Sequence, residues 1–315
     1  MSTSRSLEKP FFFLLPAILL VAAFYVLPLI ITVWISFTPL RNWRVAEQIT
    51  RFVGLENYRD LAYLVTHDPT MGLVVKTTLV FVALTLAVNV LGGLGLALAT
   101  YLIEERVGLA FRLLWLLPRM TPLAVFGLLW YYFFYGSSEG VLNSILLRLG
   151  LISEPVSLGT DPAYFPWGPW SIIVFVNGLV GVSYGMIIFY SALRSIPREL
   201  VMAARVDGAG TWQIVRYVLV PMLRWHLVFV TVWQLLSLVT SYMHLFVLVD
   251  WRVVDRNYGT TWALFVFNEA FGDVKNQGLA AAAAVVLVVI GSILGLITLR
   301  IMRFSQMVQE PRGDL

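Results

Sequence analysis

The residues best suited to chemistry in this chain fall into two groups. The first is the stretch Ile196 to Pro221, IPRELVMAARVDGAGTWQIVRYVLVP, whose three arginines and Asp-Gly pair lie between long apolar segments. Its pattern predicts two short helices joined at Asp207-Gly208. Ala203 and Ala204 give the first helix a small-residue face that another surface can approach closely. Gly208 permits the positive φ of a sharp turn, and Asp207 is expected to cap the helix that follows. Trp212, Val215 and Val218 then recur at helical spacing, and Pro221 is expected to mark where the next helix enters the membrane. The chemistry of such an element is docking, not bond-making.

The second group is scattered through the apolar runs: Asn89, Arg119, Asn177, Tyr184, Gln234, Ser237, Ser241, Tyr242 and His244. Aromatic platforms stack on the apolar faces of sugar rings, and amides and hydroxyls bond their hydroxyl groups. The mixture therefore suits a carbohydrate path. Helix-to-helix hydrogen bonding is the alternative reading of each. Gln234, Ser237 and Ser241, spaced i, i+3 and i+7, are expected to share one helix face, with Tyr242 and His244 further out. Arg119 lies between Pro118 and Pro122. A charge inside a span costs about 2.5–3.5 kcal/mol on insertion scales, so Arg119 either faces a cavity or partner or snorkels to the inner interface.

Other chemistries lack their residues. There is no cysteine, which removes disulfides, thiolate metal sites and thiol nucleophiles. His67, His226 and His244 show no metal-ligand spacing, and an intramembrane enzyme would need a nucleophile–base pair or ligand cluster that the spans do not offer. The modest net charge of +4 comes from scattered Lys and Arg, and does not describe a nucleic-acid footprint.

These residues must be positioned by membrane helices. The 315-residue chain is 59% hydrophobic and 13% charged, against about a quarter charged for soluble chains. Six runs reach the roughly 20 apolar residues that a span needs: 11–37, 73–101, 113–135, 170–193, 222–249 and 278–301. Pro16 and Pro28 lie in the first, and His226, Gln234 and His244 interrupt the fifth. With the N-terminus inside, the inner segments 1–10, 102–112, 194–221 and 302–315 are rich in arginine. The outer loops 38–72, 136–169 and 250–277 hold eleven acidic residues against eight basic ones. The positive-inside bias thus puts both termini and the Ile196–Pro221 element in the cytoplasm. The loop 38–72 predicts a turn and a short amphipathic helix at the membrane surface, and 141–149 a second helical stretch. Gly92, Gly93 and Gly95, with Ala97 and Ala99, read as a close-packing surface or a hinge, and Ala280–Ala284 as another tight-packing face. Lys76 is expected to snorkel.

At Glu199–Pro221 the chain resembles the cytoplasmic EAA loop of permease subunits in binding-protein-dependent ABC importers. Ala203-Ala204, Asp207-Gly208-Ala209 and Pro221 carry the resemblance in identity and spacing. Ser195-Ile196-Pro197-Arg198-Glu199-Leu200 is similar to the carbohydrate-uptake, maltose-importer-type branch. So are Ser36-Phe37-Thr38, Phe52-Val53-Gly54-Leu55-Glu56-Asn57-Tyr58, Leu117-Pro118 and Gly140-Val141-Leu142-Asn143. Two departures stand out. Met202 replaces the usual Glu of the motif, leaving Glu199 one turn earlier as the nearest substitute. The outer end of the fifth run lacks the Gly-Gly-Pro common in sugar permeases.

The resemblance implies an all-α polytopic protein of six transmembrane helices with type I importer architecture, its coupling helix between the fourth and fifth. Glu199, Ala203, Ala204, Asp207, Gly208 and Ala209 would dock on the ATPase. The partners implied are a second, homologous permease, two copies of a cytoplasmic ATPase and an extracytoplasmic solute-binding protein, in a prokaryotic plasma membrane. Gly208-Ala209-Gly210-Thr211 lacks the spacing and lysine of a phosphate loop, so ATP and magnesium belong to the ATPase and this chain binds no cofactor. An ion-coupled carrier or channel is the rival class. It would place carboxylates at mid-membrane, whereas every Asp and Glu here falls in a loop or tail.

Overall fold

The computed structural model describes residues 8–302, with side chains from Leu14 onward, and is helical throughout them without a strand. Arg5, Arg303 and Arg312 of the basic tails lie outside the described residues, as does the Lys9 side chain. Four helices are long and apolar enough to cross a membrane: Leu14–Ser36, Pro69–Leu102, Trp167–Ser195 and Gln277–Ile301. Two bent pairs, Glu105–Met120 with Leu123–Phe134 and Thr211–Met222 with Arg224–Val239, bring the number to six when each pair counts as one span. The chain divides into two compact units, residues 1–68 with 265–288 and residues 69–264 with 289–315.

In the first unit, the Leu14–Ser36 helix has none of its central residues buried. A five-residue π-turn, Ala22–Val26, widens it just before Pro28. Proline has no N–H to give and its ring crowds the carbonyl four residues back, and the wide turn relieves both problems. Two short sequence motifs meet at the end of this helix. Asn57 is buried and donates to the carbonyls of Ser36 (2.9 Å) and Thr38 (2.8 Å). The Tyr58 and Ser36 hydroxyls pair at 2.8 Å, and Phe52 stacks on Phe37. Gly54, at φ +61°, turns the chain into the Glu56–His67 helix. Gly278 packs where a Cβ would strike the Thr38 carbonyl, which fixes the start of Gln277–Ile301 against this knot.

The second unit is organised around Pro69–Leu102 and Trp167–Ser195, which lie against each other along their length. Small residues set their distance. A Cβ on Gly93 would lie 3.0 Å from the Gly185 Cα, one on Gly92 2.9 Å from Val182, and one on Gly178 2.8 Å from Val88. Gly95, expected on the same surface, meets nothing within 4 Å, and Pro69–Leu102 runs unbroken, so the glycines pack rather than hinge. Lys76 places its ammonium 5.6 Å from the centre of the Trp170 ring, and Trp170 donates to Thr77 (3.1 Å).

The third and fifth expected spans differ most from straight helices. The third bends by 100° between Met120 and Leu123. Pro122 disfavours helical geometry at Thr121, and both residues are extended (ψ 125° and 143°). The fifth helix starts well before Pro221, at Thr211, and passes through a π-turn at Val215–Leu219 before that proline. It then bends by 67° at Leu223. Pro221 is therefore inside the helix and does not mark its entrance. This helix ends at Val239, two residues before Ser241, and at its end Thr240 turns its hydroxyl back to the Leu236 and Ser237 carbonyls. Met243–Asp250 continues after the break.

Candidate functional site

The Ile196–Pro221 element is built on a packed base. Ile196, Ile214, Val215 and Leu219 are buried with Ala97, Phe189 and Leu193, and Val201, Ala204 and Ala209 pack against them. The helix Arg198–Val206 has Pro197 just before its first residue and ends in a Schellman turn. The Ala209 N–H donates to the Ala204 carbonyl (2.9 Å) and the Gly208 N–H to the Arg205 carbonyl (3.0 Å), with Gly208 at φ +85°. Asp207 is thus the C-cap of the first helix and does not cap the second. The second begins after Gly210, whose N–H donates to Gln213 (2.7 Å).

The six residues expected to dock separate accordingly. Glu199, Ala203, Asp207 and Gly208 are exposed, whereas Ala204 and Ala209 are half-buried against the base. Three apolar side chains absent from that expectation share the exposed surface. Val206 is 88% exposed, Trp212 71% and Met202 55%. The arrangement is a small apolar platform, edged by Glu199, Arg198, Arg205 and Asp207 and held on a rigid base.

Beside this base lies a charged knot with no counterpart in the sequence reading. Glu105, at the start of the third span, accepts from Arg112 (2.9 Å), from Arg194 (3.2 Å) and from the Tyr190 hydroxyl (3.0 Å to each oxygen). The Arg112 guanidinium sits 3.7 Å from the centre of the Tyr190 ring and donates to the Thr100 carbonyl (3.2 Å). Gly108 lies where a side chain would strike Thr100 and Arg112. The knot joins the start of the third span to the last turns of the fourth, three residues before the docking helix begins at Arg198. Each of its members is single in the sequence, so no spacing signals it.

The polar residues of the spans do not form one face. Asn89 donates to Gln234 (3.2 Å), which donates to the Gly181 carbonyl (2.9 Å), so the buried Gln234 bridges helices. Asn177 donates to the Ile173 carbonyl of its own helix (2.9 Å). Ser237 is exposed and Ser241 lies beyond the helix end, which separates the three residues expected at i, i+3 and i+7. His244 packs edge-on to Phe126 (4.8 Å), next to Tyr242 at the same break.

Arg119 and Tyr184 do converge. Arg119 donates to the Val180 carbonyl (3.2 Å), and its guanidinium lies 5.4 Å from the Tyr184 ring centre. Tyr184 stacks on Trp233 (6.1 Å, 16°), and Trp233 on Phe229 (6.4 Å, 20°). Val180 is the fourteenth residue of the 29-residue fourth helix, and Arg119 is exposed. This places Arg119 beside the middle of the fourth helix, with the Val180 carbonyl and the Tyr184 ring as its partners. Trp233 and Phe229 escaped the sequence reading because an aromatic at helical spacing in an apolar run has no distinguishing signal.

Comparison with known proteins agrees with this architecture. Residues 89–305 match the model of the family described as binding-protein-dependent transport system inner membrane component. A probable ABC transporter permease protein of Pyrococcus horikoshii is 34% identical over 221 residues, covering 70% of this chain and 71% of that protein. The lactose transport system permease protein of Rhizobium radiobacter is 25% identical over 299 residues, 93% and 95% of the two chains. The crystal structure of a bacterial ABC transporter that imports the acidic polysaccharide alginate has the same fold, with a TM-score of 0.75 at 18% identity, and 96% of each chain is covered. The all-α spans, the broken third and fifth helices and the family match lead to one conclusion: this chain belongs to the inner membrane permease components of binding-protein-dependent ABC importers.

Proposed function

We propose that this permease carries a sugar or oligosaccharide, and that the Arg198–Gly210 segment is the point at which cytoplasmic ATPases drive it. The observation that carries the reading is the platform itself. Met202 and Val206 on the first helix and Trp212 on the second are exposed apolar side chains on an element whose other face is buried in the base, and an apolar patch rimmed by charge marks a contact surface. Glu199, Ala203, Asp207 and Gly208 line its reach, while Ala204 and Ala209 hold it to the base. In this reading both termini and the platform are cytoplasmic. A second permease completes the path, two ATPase subunits bind ATP and magnesium, and an external binding protein delivers the solute.

ATPase closure then moves the platform as a body, and the spans attached to it swing the path between its two faces. The sugar class is supported by the similarity to a lactose permease and by the Tyr184–Trp233–Phe229 aromatic ladder beside Arg119. Arg119 and Tyr184 line the path in this scheme, and Ser237, Ser241, Tyr242 and His244 are assigned to it as further contacts. Asn177 and Gln234 serve helix packing.

The test is affinity isolation of the tagged chain from gently solubilised native membranes. A second permease and a phosphate-loop ATPase are expected to accompany it, and the double variant Asp207→Arg, Gly208→Trp is expected to lose the ATPase while keeping the permease partner. Isolation of the chain alone, or an ATPase that stays bound to the double variant, would overturn the docking assignment.

A further inference from the structure

A different region of the same unit draws residues 131–160 and 249–256 together. Two adjoining hollows open there, of about 510 Å³ and 470 Å³, sharing Thr160, Asp250 and Arg252. Tyr131, Tyr135 and Trp251 form the aromatic side of the larger one. Tyr131 contacts both of the others, at 5.3 Å from Tyr135 and 6.1 Å from Trp251.

The walls are braced independently of any ligand. Asn143 is buried and makes four bonds, donating to the carbonyls of Tyr135, Ser137 and Val156 and accepting from the Val156 N–H, all between 3.0 and 3.1 Å. The Asp255 N–H donates to the Gly159 carbonyl (2.8 Å), and Gly159 and Gly136 stand where a side chain would collide with Val253 and Ser157. The hollows are therefore preformed, and their sizes fall in the usual small-molecule range of about 300–1,000 Å³.

Arg252 is the informative residue. The helix Met243–Asp250 ends in a Schellman turn, with the Val253 N–H on the Leu248 carbonyl (2.9 Å) and the Arg252 N–H on the Val249 carbonyl (3.0 Å). Arg252 fills the left-handed position of that turn, at φ +56°, where glycine is the unstrained choice. A side chain kept in a left-handed conformation at the rim of a cavity points to use of that side chain. Among the described residues neither the Arg252 guanidinium nor the Asp250 carboxylate has a partner within the chain, and both line both hollows.

We infer that these hollows bind a neutral oligosaccharide at the external mouth of the permease, ahead of the membrane path. Aromatic faces accept the apolar side of a sugar ring, the guanidinium donates to adjacent hydroxyls, and the carboxylate accepts from them. The charges balance: Asp250 and Arg252 line both hollows, and Asp255 and Arg256 line the smaller one. A site of zero net charge selects an uncharged ligand over an acidic one. The inference rests on the importer reading for the side of the membrane on which the mouth opens.

The experiment uses the assembled, nucleotide-free complex in lipid nanodiscs. Maltotriose, lactose and arabinotriose serve as neutral probes and trigalacturonate as the acidic one, read by saturation-transfer NMR and titration. At least one neutral probe is expected to bind and trigalacturonate to bind none or far less. Arg252→Gly removes the left-handed strain, so its melting temperature should match or exceed the parent's while neutral-saccharide affinity falls at least tenfold. Trp251→Ala should fall similarly. The idea is overturned by unchanged affinity in Arg252→Gly or by the absence of binding by every neutral probe. It is also overturned if these variants abolish capture of the binding protein but leave saccharide binding intact, which would make the mouth a protein-docking surface. Copurification of the ATPase is the control: its presence with no saccharide binding rejects this site and leaves the importer reading standing.

Discussion

Gly208 and Arg252 occupy the same backbone position in two Schellman turns of the same hand, at φ +85° and +56°. At Gly208 nothing lies within 4 Å of a would-be Cβ, so the glycine is required by the backbone angle and not by crowding. Gly208→Val is expected to cost the turn about 1–2 kcal/mol, the penalty of a left-handed L-residue, whereas Gly208→Asn, which tolerates that region, should cost less. Amide hydrogen exchange at Ala209, whose N–H closes the turn onto Ala204, reads the difference. Equal exchange in both variants would contradict the assignment. The two turns also separate what is legible from what is not. Asp207-Gly208 announces a turn in the sequence because glycine is the common solution. Arg252 announces nothing, since an arginine in a loop is ordinary until its dihedral angle is known.

At the level of elements, the prolines were visible in the sequence, but the structures they produce were not. Pro28 and Pro221 each follow a π-turn and stay inside a helix, while Thr121-Pro122 breaks one by 100°. The difference lies in what precedes each: a run free to widen by one residue in the first two, and a second proline, Pro118, already weakening the last turn in the third. The expected face of Gln234, Ser237 and Ser241 failed for a related reason. Its spacing assumed a helix that continues, and this one ends at Val239.

The short motifs at 36–38 and 52–58 are clearer in retrospect, because Asn57 and Tyr58 bond directly to Ser36 and Thr38. The Glu105 knot makes its own prediction. It contains the only ion pair among the described residues between the third span and the fourth, Glu105 with Arg194. Glu105→Gln should leave the complex assembled, yet lower ATP-driven uptake severalfold and raise ATP hydrolysis without transport. The charge exchange Glu105→Arg with Arg194→Glu should recover part of the coupling. Unaltered uptake in Glu105→Gln would remove the knot from the mechanism.

For the molecule as a whole, fold class and family were readable from hydrophobic run length and the motif at 199–221, because membrane burial leaves few ways to satisfy a backbone. The path was much less readable, since the same amides serve packing and recognition. The absence of cysteine makes topology directly measurable. Ser138→Cys and Val206→Cys each become the sole thiol, and both positions are exposed. A membrane-impermeant maleimide is expected to label Ser138→Cys in intact cells and Val206→Cys only after the membrane is opened. The opposite pattern would invert the orientation on which docking and delivery both depend.

The glycine contacts between the second and fourth helices have a mechanical meaning. Backbones that meet at Gly93 and Gly185 with no side chain between them have nothing compressible to absorb a push. The fourth helix, 29 residues long, is then a lever of about 44 Å at 1.5 Å per residue. Its short arm ends three residues from the docking helix, and its long arm reaches Trp167 at the other end. Tilted about Gly185, whose long arm to Trp167 is about 27 Å at 1.5 Å per residue, the helix moves that far end by about 0.5 Å per degree. The places where the helices can flex are then the breaks at 121–122, 223 and 240–242.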